Sequence, residues 1–330
     1  MLNLKLHSKD LSAYSFLVTG GAGFIGSNIT EYLIKNGVKQ VRVLDDLSTG
    51  YYENIQEFES SSNFEFQKGD IRNYTDCEKA CKGIDFVLHQ AALGSVPRSM
   101  NDPITTNAVN VDGFVNMLQA AKENNVKRFV YASSSSVYGD DTNMPKVEDK
   151  TGNLLSPYAV SKYTNELYAK VFSKVYGIKT IGMRYFNVYG PKQNIQGPYA
   201  AVIPIFITKL LNNESPGIHG DGNNTRDFTF IANVIKANLC AAFAENIKED
   251  AVVMNVAYGG TTSVNDLFNE IAAILKKEIK ATYLPERKGD IKDSFANISR
   301  AKELIGYSSV VDLQEGLKIT VDWYQKQLKK

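Results

Sequence analysis

The first 190 residues alternate short apolar runs with helical stretches, and this rhythm limits the fold more than any other feature of the chain. FLVT (16–19), VRVLD (41–45), FEFQKGD (64–70), DFVLHQA (85–91), FVYASS (129–134) and TIGMRYF (180–186) are rich in β-branched and aromatic residues. Helical spacing fills the gaps: SNITEYLIKNG (27–37), DCEKACKG (76–83), NVDGFVNMLQAAKENN (110–125) and SPYAVSKYTNELYAKVFSKVYG (156–177). Strands nearly continuous in apolar residues, separated by helices, predict a parallel sheet covered on both faces. Right-handed crossovers then give a doubly wound α/β domain. Beyond residue 190 the pattern loosens. Helices at AVIPIFITKLLNN (201–213) and VNDLFNEIAAILKK (264–277), a strand at VVMNVA (252–257) and a C-terminal helix predict a smaller α/β domain closing a cleft over the carboxyl ends of the strands. No Pro/Gly-rich linker marks the border, so we expect residues 1–187 and 188–330 to form two interleaved domains.

Charge and cysteine usage narrow the function. A formal net charge of +1, with scattered Lys and Arg, offers no basic stripe for nucleic acid. No apolar run approaches the length of a membrane helix, and MLNLKLHSKDLSAYSF lacks the apolar core of a signal peptide, so a cytoplasmic location is expected. Cys77 and Cys81 at i and i+4 mark one side of a helix better than a metal pair. Cys240, His7, His89 and His219 are scattered, and no metal site is expected.

TGGAGFIG places Gly20, Gly23 and Gly26 between the first strand and the first helix, with Phe24 and Ile25 in the same turn. Residues without a β-carbon permit a tight turn and close approach, and the helix start offers free amides and a positive dipole end to a pyrophosphate. In this strand–turn–helix context the glycines read as a Rossmann dinucleotide loop. Asp45, 19 residues after Gly26 at the end of the second strand, can accept from a ribose 2′-hydroxyl and would repel a 2′-phosphate. The expected cofactor is therefore NAD. Asp45 could alternatively serve as a local cap. Asp70 and Ile71, after the third strand, stand where an adenine edge would be met.

Ser133 to Ser136 lie at the carboxyl end of the fifth strand, where doubly wound sheets bind ligands. In SPYAVSK, Tyr158 and Lys162 are one helical turn apart, about 6 Å on one face. An isolated YxxxK fits any amphipathic helix. Beside a serine and a nicotinamide it forms a proton relay for hydride chemistry: serine bonds the substrate oxygen, tyrosine exchanges its proton, and lysine holds the cofactor ribose. The ammonium is expected to lower the phenol's pKa, and bringing it from about 10 to near 7 takes roughly 4 kcal/mol.

TGGAGFIGS, LDDLSTG, GDIRN, HQAALGSVPRS, ASSSSVYGD, SPYAVSK, RYFNVYGP, GDGNNTRDFTFI and RKGDIKDSFANISRA span nearly the whole chain. In this order the chain resembles the extended short-chain dehydrogenase/reductases and, within them, the nucleotide-sugar 4-epimerases. It looks most like the branch interconverting UDP-N-acetylglucosamine and UDP-N-acetylgalactosamine, with which it shares the short extension before the first strand and the serine run. The resemblance implies Ser134 as the catalytic serine, with Ser135 and Ser136 beside it, Tyr158 as the base and Lys162 as its partner. It implies that Gln90, Ala91 and Ala92 lie along NAD. Asn187 would bind near the substrate phosphates, and Arg226 and Arg287 would clamp the UDP diphosphate, with Asp290 close by. Gly94, Ser95, Ala201, Val202 and Ser294 would line the sugar pocket. The family's NAD stays bound while Tyr158 takes the 4-hydroxyl proton, the 4-keto sugar swings about its diphosphate linkage, and hydride returns to the other face.

In the family a bulky residue at the Ser294 position restricts some members to UDP-glucose and UDP-galactose. The small residues here imply room for an N-acetyl group, with plain UDP-hexoses also accepted. Ser294 could instead be a loop serine away from the sugar. The alternatives are an epimerase of UDP-N-acetylated uronic acids, a decarboxylase, or a sugar 4,6-dehydratase. The last carries an acidic pair in the relay, whereas SSSSVYG has no acid until Asp140. A non-catalytic NAD sensor is disfavoured because Tyr158 and Lys162 are both present. The family implies a homodimer through two helices per subunit; the apolar helices between residues 107 and 176 could supply that surface or could equally face the sheet.

Overall fold

The computed structural model describes residues 4–194, 201–245, 247, 249, 251–286 and 292–328. Six strands follow the predicted order: β1 (Ser15–Thr19), β2 (Gln40–Asp45), β3 (Phe64–Lys68), β4 (Phe86–His89), β5 (Arg128–Ser134) and β6 (Thr180–Tyr185). A seventh, Ala251–Val256, comes from the second half of the chain and pairs parallel to β6. The order across the sheet is seventh–β6–β5–β4–β1–β2–β3, with every pairing parallel. The chain reverses its direction of travel between β1 and β4, which opens a crevice at their carboxyl ends.

Alternation along each strand explains the continuous apolar runs. Phe16, Val18, Val41, Val43, Leu88 and Val130 bury themselves on one face, against the helices Phe24–Lys35 and Ile231–Ala242. Leu17, Leu44, Val87, Phe129 and Tyr131 do so on the other, against Tyr74–Cys81, Gly113–Glu123 and Pro157–Tyr176. Both faces are covered, so both residue sets must be apolar.

Sequence and structure differ in instructive places. The expected helix 110–125 is an α-helix only over Gly113–Glu123, and it is entered through one π-helical segment, Ala108–Asp112. The helices Val96–Asn101, Pro103–Asn107 and Ile231–Ala242 were not foreseen. Ile231–Ala242 has ten of its twelve residues buried, so it shows no polar face to betray a helical period. In the second half, short strands assemble over long sequence separations. Thr225–Arg226 pairs antiparallel with Thr262–Ser263 and parallel with Asp293–Ser294. Val188–Tyr189 pairs with Thr229–Phe230. Among the described residues no helix is long and apolar enough to cross a membrane, and no His/Cys/Asp/Glu group could hold a metal.

Candidate active site

The crevice at the β1/β4 switch is a cleft of about 310 Å³. Gly20, Gly23, Phe24, Ile25, Gly26, Asp45, Asp70, Ile71, Gln90, Ala91, Ala92 and Gly94 all line it. Gly20 has φ +66, and a β-carbon there would lie 2.8 Å from the backbone of Ala91. At Gly26 it would lie 2.2 Å from the Gly20 carbonyl oxygen. Only a glycine pair lets the loop fold this tightly against β4 and its own helix. Asp45 is buried. It accepts from the Ala22 N–H at 2.9 Å and the Leu47 N–H at 2.9 Å, and burial holds its carboxyl above the ordinary range. Capping leaves Asp45 able to meet a ribose hydroxyl, because each carboxylate oxygen keeps a further lone pair. Asp70 is clasped by Arg72, with Nη2 to Oδ2 at 2.6 Å, which holds its carboxyl low. Gln90 closes a ring: it donates to Asn238, Asn238 donates to the Tyr185 hydroxyl, and Tyr185 donates back to Gln90.

The relay residues converge where β5 leaves the sheet. Ser134 ends the strand and caps the turn Ser135–Tyr138, its hydroxyl accepting from the Ser136 N–H at 3.1 Å. Ser156 caps the long helix by accepting from the Ala159 N–H, with Pro157 in its first turn. That start fixes the phase that brings Tyr158 close enough to Ser134 for the serine to favour its phenolate. Lys162 is 2% exposed and donates to the Ala132 carbonyl at 2.8 Å. Burial pulls its ammonium down to about 8. Here the expectation of an acidified phenol needs correcting. Burial raises the Tyr158 phenol above its ordinary value, Ser134 pulls it part of the way back, and Lys162 is not among the causes. Desolvation penalises the phenolate more than the protein's own groups favour it. The Ser136 hydroxyl is buried with no partner among the described residues, whereas Ser135 is half-buried.

A second pocket, in the second half of the chain, is lined by Asn187, Val202, Asn224, Arg226 and Phe228 among others. Asn187, at φ +33, donates to the Asp227 carbonyl. Arg226 donates to the Thr225 and Lys292 carbonyls, and Ser294 lies beside it in register on the neighbouring strand. Ser95 caps the helix Val96–Asn101 by accepting from Arg98, while Ala201 is exposed at the start of Val202–Leu211. Arg287 and Asp290 lie outside the described residues.

Three residues escaped the sequence reading. Asn110, inside the π-helical segment, accepts from the Leu93 N–H and donates to the Leu93 carbonyl and to Ser161, fixing the loop after β4 against the tyrosine helix. Asp227 is fully buried and accepts from the N–H groups of Tyr258, Gly259 and Ala296. Lys192 reaches the cofactor cleft from the second half. A single asparagine or lysine carries no local signal; only RYFNVYGP and TRDF flagged the neighbourhoods of Lys192 and Asp227.

Comparison with known proteins agrees with this geometry. Residues 16–257 match the family described as NAD dependent epimerase/dehydratase. A putative UDP-glucose 4-epimerase of Methanocaldococcus jannaschii is 42% identical over 93% of this chain and 97% of its own. A UDP-glucuronate 4-epimerase of Thermodesulfobacterium geofontis is 33% identical over 95% of this chain and 97% of its own. Among solved structures, the UDP-N-acetylglucosamine 4-epimerase of Methanobrevibacter ruminantium, in complex with UDP-N-acetylmuramic acid, superposes with a TM-score of 0.90 at 42% identity, covering 95% of this chain and 99% of that one. The fold and the cleft define a Rossmann-type protein of the extended short-chain dehydrogenase/reductase kind. The chain belongs to the NAD-dependent epimerase/dehydratase family, in its nucleotide-sugar 4-epimerase group.

The residues fit that cofactor. The glycine cradle admits a pyrophosphate, Asp45 keeps lone pairs for a ribose, and the buried Lys162 ammonium has donors beyond its bond to Ala132.

Proposed function

We propose that the chain interconverts UDP-N-acetylglucosamine and UDP-N-acetylgalactosamine at carbon 4, and also UDP-glucose and UDP-galactose, with NAD retained through turnover. The observation that carries this reading is the convergence of Ser134 on the buried Tyr158 phenol, whose pKa it lowers, with buried Lys162 one turn along the same helix. NAD, when bound, would supply the hydride acceptor and donor for carbon 4. Ser134 would hold the substrate hydroxyl against Tyr158, whose phenolic oxygen would take the 4-hydroxyl proton and later give it back. Lys162 would hold the cofactor ribose. Arg226 and, outside the described residues, Arg287 would grip the diphosphate while the 4-keto sugar turns over, since guanidinium forks pair well with phosphate oxygens.

The acetylated substrate is supported by the small side chains at Gly94, Ser95, Ala201 and Ser294, and by the 42% identity to a UDP-N-acetylglucosamine 4-epimerase. A β-carbon at Gly94 would meet nothing within 4 Å. Product analysis of the protein as purified, with no NAD added, tests the proposal on UDP-glucose, UDP-N-acetylglucosamine and their uronic acids. Turnover confined to the uronic acids would overturn it. Tyr158→Phe, isolated with its NAD, should lose about 10³-fold in turnover. Ser294→Tyr should depress turnover of UDP-N-acetylglucosamine far more than that of UDP-glucose, and equal losses would defeat the specificity argument.

The same helix supports the homodimer reading. Val160, Leu167, Val171 and Val175 form one exposed apolar face, with Val171 at 53% and Val175 at 62% exposure. Such a stripe at helical spacing suits pairing with a second copy, and the molecular mass in solution tests it.

A further inference from the structure

The segment after the short strand Val188–Tyr189 crosses from the second half onto the rim of the cofactor cleft. Pro191 is held by Asn28, whose amide donates to its carbonyl at 3.0 Å, and Gln193 by the Tyr324 hydroxyl, which donates to its carbonyl at 2.5 Å. Asn194 donates to the Tyr51 hydroxyl at 2.8 Å. Between them Lys192 sits at φ +67, a conformation that a residue bearing a β-carbon adopts only when its surroundings impose it. Its side chain is 12% exposed.

The Lys192 ammonium joins three pieces of chain. It donates to the Asn54 carbonyl at 3.0 Å and pairs with Glu31 at 2.9 Å, lying over the Phe58 ring at 5.8 Å. Glu31 is buried on the helix that the glycine loop opens. Burial pushes its carboxyl up, but Lys192 and Lys35 outweigh burial and hold it below its ordinary value. Asn54 belongs to the loop that covers the Asp45 end of the cleft. Its side-chain amide and the Tyr51 N–H both donate to the Ala22 carbonyl, while the Ala22 N–H donates to Asp45. Tyr51, Asn54, Lys192 and Asn194 all face the same cleft as Gly20, Gly23 and Asp45.

We propose that Lys192 is a cofactor-retaining positioning residue: by pinning residues 191–194 and the Tyr51–Asn54 loop to the glycine-loop helix, it closes the adenosine end of the cleft and sets the rate at which NAD escapes. The inference rests on the NAD assignment but reaches beyond it, because it assigns retention to a residue of the substrate half with no part in proton or hydride transfer.

The test follows NAD loss from the purified holoenzyme into an excess of an NAD-consuming dehydrogenase. Lys192→Met should release NAD at least about tenfold faster, since it leaves buried Glu31 with Lys35 as its remaining cation and frees the loop. With NAD added to saturation, kcat and the KM for the UDP-sugar should stay near wild type, and Lys192→Arg should restore slow release. Asn194→Ala removes one tether without uncovering the ion pair, and should accelerate release by a few-fold even if the methionine variant folds poorly. Unchanged release in both variants, or a fall in kcat with NAD still held, would overturn the inference. A wild-type protein that carries and binds no NAD would instead overturn the cofactor assignment itself.

Discussion

The two walls of the cleft are built by different means. The cofactor wall is made by backbone: glycines that must lack a β-carbon, strand ends that stop at the switch point, and amides at a helix start. The wall proposed to meet the substrate is made by side chains that hold distant short strands together. Arg226, Ser294 and Thr262 meet across strand pairs of two residues each, and Asp227 binds Tyr258, Gly259 and Ala296 to them. The glycine loop at the centre of the first wall fails by steric insertion, whatever becomes of the Lys192 segment at its rim. A wall knitted by side chains can fail by losing one acceptor. The two should therefore break independently, and with different signatures.

Gly26→Ala probes the first wall and carries the largest expected effect. The new β-carbon would stand 2.2 Å from the Gly20 carbonyl oxygen and 2.8 Å from the Gly21 backbone, so the loop must move. No flexible side chain is available to yield. The variant should purify with little NAD, with its affinity for the dinucleotide down about 100-fold or more, while UDP still binds with near wild-type affinity by calorimetry. Parallel loss of UDP binding would show that the walls are not separable.

Asp227→Asn probes the second. An amide in place of the carboxylate turns an NH₂ group toward backbone N–H donors, leaving at least one of them unpaired at a cost of about 1–3 kcal/mol. Arg226 is the preceding residue, and Ser294 is hydrogen-bonded to Asp227 through its carbonyl. The KM for UDP-sugars should rise about tenfold with kcat little changed and NAD content intact. Loss of bound NAD here would contradict the division of labour between the walls.

Legibility in the sequence follows the same divide. Gly20, Gly23, Gly26, Asp45 and Asp70 could be placed on one cleft because each sits at a fixed offset from a strand end, and the strands announce themselves; Gln90 through Ala92 came by resemblance alone. Tyr158, Lys162 and Ser134 meet because a capped helix and a strand end have known phases. Their electrostatics were not legible: the depth of burial that raises the phenol and lowers the ammonium depends on what packs above them. Ser294 could be set beside Arg226 only by resemblance, since 68 residues separate them and a two-residue strand has no period. Asn110, Lys192 and the helix Ile231–Ala242 were lost for a common reason. Each acts through tertiary neighbours, and none disturbs the local pattern.

The smallest effect tests whether the cofactor wall stores electrostatic cost. Lys162 is 2% exposed, and burial brings its pKa from 10.5 to about 8. The folded chain thus binds this proton less tightly than the unfolded chain does. Below pH 8 both states are protonated and the whole penalty, about 3 kcal/mol, weighs on the fold. As pH rises from 8 toward 10.5 the folded state sheds the proton first, and the penalty is relieved. Lys162→Met removes the charge but leaves the Ala132 carbonyl without its donor, which returns about 1 kcal/mol. Stripped of NAD, the methionine variant should therefore melt a few degrees higher than the wild type at pH 7, although it is expected to be catalytically dead. The gap should narrow or reverse above pH 9. A variant that melts lower at pH 7 would mean that the buried ammonium stabilises the empty fold, and that the lysine is not held there at the expense of stability for the sake of the cofactor.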